Sequence, residues 1–361
     1  MQSDCKPTAT LCVPAYNASR TIGETLESLL AQTYERKEVI VSDNHSTDDT
    51  CAVVRRYANR GVSLVTCPQA PVKTGSPLDN CLSAANNWNH LRSLGTGEFV
   101  GIFHADDVYE PTLVQRQVAL FCAHPDCAAV FPTFRLIDEH GNLLVKEAPK
   151  DPDGEEWFDQ LSLIKRMLRR GHNVSSSGPL LRRASWAKAG LLDGVRFEQA
   201  VDTEFWLRIA GAGKVAVITP PLVRYRRHPG QDSPNGYRLY RHKPLPIVTV
   251  LEHWTGQPGV RERLDKSDWI HLGASKCEED LRVAINYTWD GRENEARRLL
   301  AADGMPGGLE LAMLALDGRK LALARRVAGF ALGMAPKVLT GRLARVIGRS
   351  RIGFPGWNRE A

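Results

Sequence analysis

The sequence predicts an α/β protein: a mostly parallel sheet with helices on both faces, followed by a helical C-terminal region. Three observations predict it. Short apolar runs alternate with amphipathic runs at βαβ spacing through residues 10–103. The apolar runs end in polar or acidic residues. Beyond about residue 232 the alternation stops, and from residue 264 the pattern is helical.

Residues 10–13 (TLCV) read as a short strand that Pro14 ends, with Ala15, Tyr16 and Asn17 as the loop. A helix starts at Thr21, which forms the S/T-x-x-E pattern of a capping box with Glu24. Ile22, Leu26, Leu29 and Leu30 supply its buried face. Residues 38–42 (EVIVS) form a second strand that runs into Asp43. The next helix carries Val53, Val54 and Tyr57 inward, residues 62–65 form a third strand, and a helix spans residues 82–94. Residues 99–103 (FVGIF) then form a buried strand that runs into His104, Ala105, Asp106 and Asp107.

That corner carries the first chemical signal. Two adjacent carboxylates at the exposed end of a buried strand repel each other unless a cation sits between them. Hard divalent cations prefer carboxylate oxygens and bridge nucleotide phosphates. Taken alone, the pair serves equally well to cap the helix favoured by Pro111. In parallel sheets ligands bind beyond the carboxyl ends of the strands, so Pro14 to Asn17, Asp43 and His104 to Asp107 are expected to converge on one crevice.

After Ala123 the pattern changes. Residues 127–137 and 142–147 read as a hairpin over a turn at 138–141. A polar connection at 149–153 leads to a helix with Trp157, Leu161, Ile164 and Leu168. Residues 173–178 (NVSSSG) read as a plain loop. Residues 196–208 (RFEQAVDTEFWLR) place Phe205 and Trp206 on an apolar face, with Asp202 and Glu204 near the helix start. There both acids favour the positive end of the helix dipole. Residues 215–218 form another strand, Pro220 and Pro221 turn the chain, and residues 222–229 (LVRYRRHP) bring in His228.

Composition narrows the classes. The formal charge is +6, concentrated in residues 319–361, which carry ten Lys and Arg against Glu360. The eight cysteines show no C-x-x-C spacing and suit a reducing cytoplasm. No signal-like run and no bilayer-length apolar stretch is present, which again predicts a cytoplasmic chain. No G-x-G-x-x-G follows the first strand and no G-x-x-x-x-G-K-[ST] occurs, which argues against dinucleotide-binding and P-loop enzymes.

Five motifs in order resemble family 2 glycosyltransferases with the Rossmann-like GT-A fold. Val13-Pro14-Ala15-Tyr16-Asn17 resembles the family's V-P-x-Y-N, and residues 41–50 its V-D-D-G-S-T-D-x-T. His104-Ala105-Asp106-Asp107 resembles its D-x-D, with His104 in place of the first Asp. Residues 202–208 resemble its E-D-x-x-x-x-x-R helix, with Val201 in place of the Glu. Residues 225–230 resemble its Y-R-x-H segment. Asn87-Trp88-Asn89 resembles a branch in which H-x-D-D is usual.

The resemblance covers roughly residues 8–232. It implies a catalytic domain over 1–232, and the pattern and charge of the residues beyond it predict a mostly helical region with a basic amphipathic tail over 233–361. It implies that Pro14, Tyr16 and Asn17 line a nucleotide pocket and that Asp43 bonds the base. Asp106 would hold a divalent metal, Mn2+ or Mg2+, on the diphosphate, with His104 and His228 as further ligands. Asp202 would be the catalytic base. The expected activity is inverting transfer of a sugar from a nucleotide-diphosphate donor to a glycan or lipid-linked acceptor, in surface polysaccharide synthesis. An anionic membrane surface is the other expected partner, at the inner face, and nucleic acid is not expected. The rival readings are a non-catalytic nucleotide- or glycan-binding protein and a sugar nucleotidyltransferase. The latter needs a glycine-rich basic loop after the first strand, which Pro14 to Asn17 do not supply.

Overall fold

The computed structural model describes residues 7–76, 78–144, 154–171, 174–228 and 240–302. The chain divides into two compact units, Met1–Gln231 and Asp232–Ala361.

The first unit is built on one nine-stranded sheet. Its parallel half consists of β1 (Ala9–Ala15), β2 (Lys37–Asp43), β3 (Val62–Thr66) and β4 (Phe99–Ile102), ordered β3-β2-β1-β4. Helices α1 (Ile22–Leu30), α2 (Thr50–Arg55) and α3 (Asp79–Leu91) connect these strands. Alternation along β1 explains why both faces are covered. Leu11 and Val13 pack with Ile22, Leu26 and Leu29 of α1, whereas Cys12 on the other face reaches the Leu91 carbonyl of α3. The register sets Ala15 beside Asp43 and Cys12 beside Ile102, so the carboxyl ends of β1, β2 and β4 lie side by side.

The other half is mixed. It contains β5 (Val108–Tyr109), β6 (Cys127–Ile137), β7 (Glu155–Phe158), β8 (Leu180–Arg182) and β9 (Lys214–Arg226). Strand β8 runs antiparallel between β4 and β6, while β6 pairs parallel with β9 and both β5 and β7 pair antiparallel with β9. The helices here are α4 (Leu113–Ala123), α5 (Gln160–Arg170), α6 (Arg183–Ala189), α7 (Gly194–Phe197) and α8 (Val201–Ala212).

Several local expectations change. Among the described residues the hairpin after β6 shows one bridge, Ile137 to Leu143, and β6 makes its ladders with β8 and β9. Residues 145–147, the rest of its second arm, and the polar connection at 149–153 lie outside the described residues. Trp157 belongs to β7, not to the helix. The break is made by Asp159, which caps α5 in a reciprocal capping box with Ser162. Pro220 and Pro221 do not turn the chain. Strand β9 runs through them, and the register jumps from Pro132–Ile218 to Thr133–Pro221, a bulge that absorbs a proline's missing N–H. Thr21 makes no side-chain cap on α1; its hydroxyl goes to the corner after β4.

The second unit is helical where it is described: α9 (Pro246–Thr255), α10 (Pro258–Arg261), α11 (Lys266–Trp289) and α12 (Glu293–Ala302). A buried Glu279–Arg282 pair holds the Leu245 N–H and the Lys243 carbonyl, and Arg241 and His242 both reach Asp290. Among the described residues no helix is long and apolar enough to cross a membrane. The basic tail at 319–361 lies outside the described residues.

Candidate active site

The corner after β4 separates the two adjacent aspartates. The side chains of His104 and Asp106 are about a quarter exposed, 27% and 26%, whereas that of Asp107 is fully buried. One ligand atom each from His104, Asp106 and Asp107 lies within 4.8 Å of the others. Oδ1 of Asp107 accepts the Arg226 backbone N–H at 2.9 Å. Its Oδ2 is buried without a hydrogen-bond partner and lies 3.9 Å from Nδ1 of His104. Burial, then the neighbouring Asp106 charge, hold the Asp107 carboxyl well above the usual carboxylate range, against the Ser177 hydroxyl and Arg226. Helix α4 takes no side-chain cap, so neither aspartate does the capping job that the sequence left open.

The corner is held from below by neutral donors. Thr21, just before α1, and Thr25 on α1 donate to the carbonyls of Ala105 and Asp107, at 3.0 and 2.7 Å. Tyr109 donates to the His104 carbonyl at 3.2 Å and bonds the Ser177 hydroxyl at 2.7 Å. Arg226 closes the other side. His228 lies just beyond, with Nε2 at 3.1 Å from Oδ2 of Asp106. Histidine nitrogen and carboxylate oxygen together suit a divalent cation, and an unpartnered buried carboxylate oxygen beside them is the polar atom such a site leaves for it.

The ends of β1 and β2 interlock beside this corner. Asn17 sits in the left-handed region at φ 48°, its N–H bonded to Ser46 Oγ at 3.0 Å and its side-chain oxygen accepting the Thr47 N–H at 2.8 Å. Such backbone suits Asn better than most residues. Pro14 is partly buried, and Tyr16 stands 51% exposed. Asp43 is 3% exposed and accepts the Ser46 N–H at 3.1 Å. His45, at φ 61°, faces the Cys67 and Gln69 carbonyls with Nε2 at 2.9 and 3.1 Å, so that nitrogen carries the proton and ties down the segment after β3.

Asp202 stands in the first turn of α8. Its Oδ1 accepts the Thr203 N–H at 2.6 Å and its Oδ2 accepts the Ser176 hydroxyl. Ser176 in turn accepts Nε1 of Trp206 at 3.2 Å. The segment read as a plain loop therefore orients Asp202. It also closes against β4 through Gly178, whose N–H reaches the Ile102 carbonyl at 2.8 Å. Gly178 has φ 82°, and a Cβ there would meet Pro132, Tyr109 and Val223 at 3.2 Å. Glu204 is absorbed by Arg208 and takes no part, and Val201 is buried. From sequence Thr21 has only a capping role and Arg226 only a place in the Y-R-x-H segment, and no local signal marks Thr25, Ser176 or Ser177.

The family model described as Glycosyl transferase family 2 matches residues 10–190. The chain is 34% identical over 296 residues to the chondroitin synthase of Escherichia coli, covering 80% of this chain and 37% of that one. It is 29% identical over 147 residues to the putative glycosyltransferase EpsE of Bacillus subtilis (strain 168), covering 41% of this chain and 50% of EpsE. The chain thus spans half or less of the length of both relatives. Among solved structures, the mannosyltransferase PcManGT of Pyrobaculum calidifontis, in complex with GDP-Man and Mn2+, superposes with a TM-score of 0.52. The identity is 21%, covering 99% of this chain and 89% of that one.

Proposed function

This chain belongs to glycosyltransferase family 2 and has its GT-A fold, and we propose that it transfers a sugar from a nucleotide-diphosphate donor to a glycan or lipid-linked acceptor with inversion. The observation that carries this reading is the His104, Asp106 and Asp107 cluster at the end of β4, flanked by the ends of β1 and β2. Pro14, Tyr16, Asn17 and Asp43 bind the nucleotide, and Asp106 and His104 face its diphosphate with His228 alongside. A similar chondroitin synthase and a GDP-Man-bound neighbour support a glycan product and a nucleotide-sugar donor.

In the reaction, Asp202 takes the proton of the acceptor hydroxyl as that oxygen attacks the anomeric carbon. The bond to the diphosphate oxygen breaks on the opposite face and the nucleoside diphosphate leaves. The hydrogen bonds from Ser176 and Thr203 keep the Asp202 carboxylate aimed during this step. His104 and Asp106 would hold a divalent cation, which would supply positive charge for the leaving diphosphate; the Mn2+ in the mannosyltransferase neighbour supports such an ion. On sequence grounds, the basic segment 319–361 meets an anionic membrane surface, where each basic residue adds about 1 kcal/mol.

The test is thermal stabilisation of the full chain by nucleoside diphosphates with and without Mn2+, followed by release of nucleoside diphosphate from the matching sugar donor. Stabilisation by one base with turnover is expected. Binding without turnover on any acceptor or on water favours the non-catalytic reading. No stabilisation and no turnover overturns both.

A further inference from the structure

Trp88 touches both halves of the site. It lies on α3 and is partly buried. Its ring centroid is 5.9 Å from that of His104, tilted by 51°, and 6.1 Å from that of Trp206, tilted by 46°. His104 belongs to the cluster that faces the diphosphate. Trp206 donates to Ser176, and Ser176 donates to Asp202. One indole therefore lies between His104 and the tryptophan that bonds Ser176, the hydroxyl partner of Asp202.

Both neighbours of Trp88 are tied down. Asn87 is buried and clasps Ser42 of β2, with its amide nitrogen donating to the Ser42 carbonyl at 3.0 Å and its amide oxygen accepting the Ser42 hydroxyl. Asn89 pairs reciprocally with the Leu192 backbone, accepting its N–H at 2.8 Å and donating to its carbonyl at 3.2 Å. The Trp88 backbone is thus fixed from two sides. Trp88 keeps part of its surface open, whereas Trp186 at the α6–α8 contact is fully buried.

In a displacement at the anomeric carbon, that carbon lies between the leaving and the attacking oxygen. The transferred sugar ring must then occupy the span between the His104–Asp106 corner and Asp202, which is the span Trp88 bridges. A pyranose presents a face of C–H bonds, and a fixed, partly open aromatic face is its natural complement.

We infer that Trp88 is the platform on which the transferred sugar of the donor lies, a specificity-determining residue for a hexopyranose ring. The inference rests on the glycosyl-transfer reading above. The test is isothermal titration of the wild type, Trp88→Phe and Trp88→Ala with UDP and GDP, each compared with its hexose and N-acetylhexosamine conjugates. The Ala variant is expected to bind the bare nucleoside diphosphate within about twofold of wild type, which also shows that it folds, and to bind the conjugate roughly tenfold more weakly. The Phe variant should fall between. Equal weakening of nucleotide and conjugate, or no change in either, overturns the platform and leaves the transfer reading standing. Failure of the wild type to bind any of these ligands removes the transfer reading and the platform with it.

Discussion

Arg226 donates from Nε to the carbonyl oxygen of Asp106 at 2.9 Å. The same residue gives its backbone N–H to the Asp107 carboxylate. Its guanidinium also reaches the carbonyls of Asp138 and Glu139, at 3.4 and 3.1 Å, and the carboxylate of Glu24 on α1. The last residue of β9 thus ties the corner after β4 to the turn after β6 and to the first helix. Arg226 is 2% exposed, while the Glu24 side chain is 55% exposed.

This asymmetry makes a prediction. Arg226→Met is expected to lower the unfolding free energy by about 2–3 kcal/mol, because it removes a buried charged donor that serves three carbonyls at once. Glu24→Gln is expected to cost less than about 1 kcal/mol, since an exposed partner is largely screened. Denaturant titration of the two variants checks the contrast. Equal losses would mean that the ion pair, not the carbonyl clamp, holds the corner.

Asp202→Asn should retain nucleoside diphosphate binding and lower turnover by roughly a hundredfold or more, the usual scale for losing a general base. Ser176→Ala should lower turnover less, because the Thr203 N–H still orients the carboxylate. Steady-state kinetics with binding measured in parallel separates the two. Turnover within a few-fold of wild type in Asp202→Asn would remove it from the reaction.

The parallel half of the fold, and the placing of Asp43 and Asp106-Asp107 at its strand ends, were legible in the sequence because both are local signals. An apolar run that ends in Asp43 or in Asp106-Asp107 announces a strand and its ligand-facing end together. What escaped depended on partners far away in the chain. Thr21 looks like a cap from its own neighbourhood, yet its hydroxyl goes to Ala105, 84 residues on. The two prolines in β9 look like a turn because the bulge that accommodates them is set by β6. Ser176 and Arg226 are ordinary polar residues until tertiary contacts at separations of 26 and 120 residues aim them at Asp202 and Asp106.

The second unit carries its own pH signature. The hydrogen bond from Arg241 outweighs the opposing effect of burial and, with a weaker one from His242, lowers the Asp290 carboxyl from 3.8 to about 2. A carboxyl whose folded value is depressed contributes stability that is present above its unfolded value and lost as pH falls through the folded one. Asp290→Asn is therefore expected to lower the melting temperature at neutral pH, with the gap to wild type closing between pH 3.8 and about 2. Thermal unfolding of the full chain across that range checks it. A gap that stays constant with pH would show that packing, not charge, is what the substitution removes.

The last prediction concerns the nitrogen at the corner. A carboxylate in place of His104 would add a third acid to a cluster that already holds Asp106 and Asp107, where burial first and then the Asp106 charge push the Asp107 carboxyl toward its neutral form. An imidazole keeps the cluster's negative charge lower and offers a borderline nitrogen, which favours manganese over magnesium. Wild type is thus expected to gain more thermal stability from Mn2+ than from Mg2+ when nucleoside diphosphate is present. His104→Asp should move the preference toward Mg2+, since the new ligand is a hard oxygen. His228→Ala should weaken stabilisation by both ions without reordering them, because His228 is placed against Asp106 from outside the three-residue cluster. Melting curves across a metal series, with and without nucleotide, read this out independently of turnover. An unchanged preference in His104→Asp would place the imidazole on the donor's phosphate or sugar instead of on the cation. Metal-independent nucleotide binding with full activity in excess chelator would remove the cation from the mechanism.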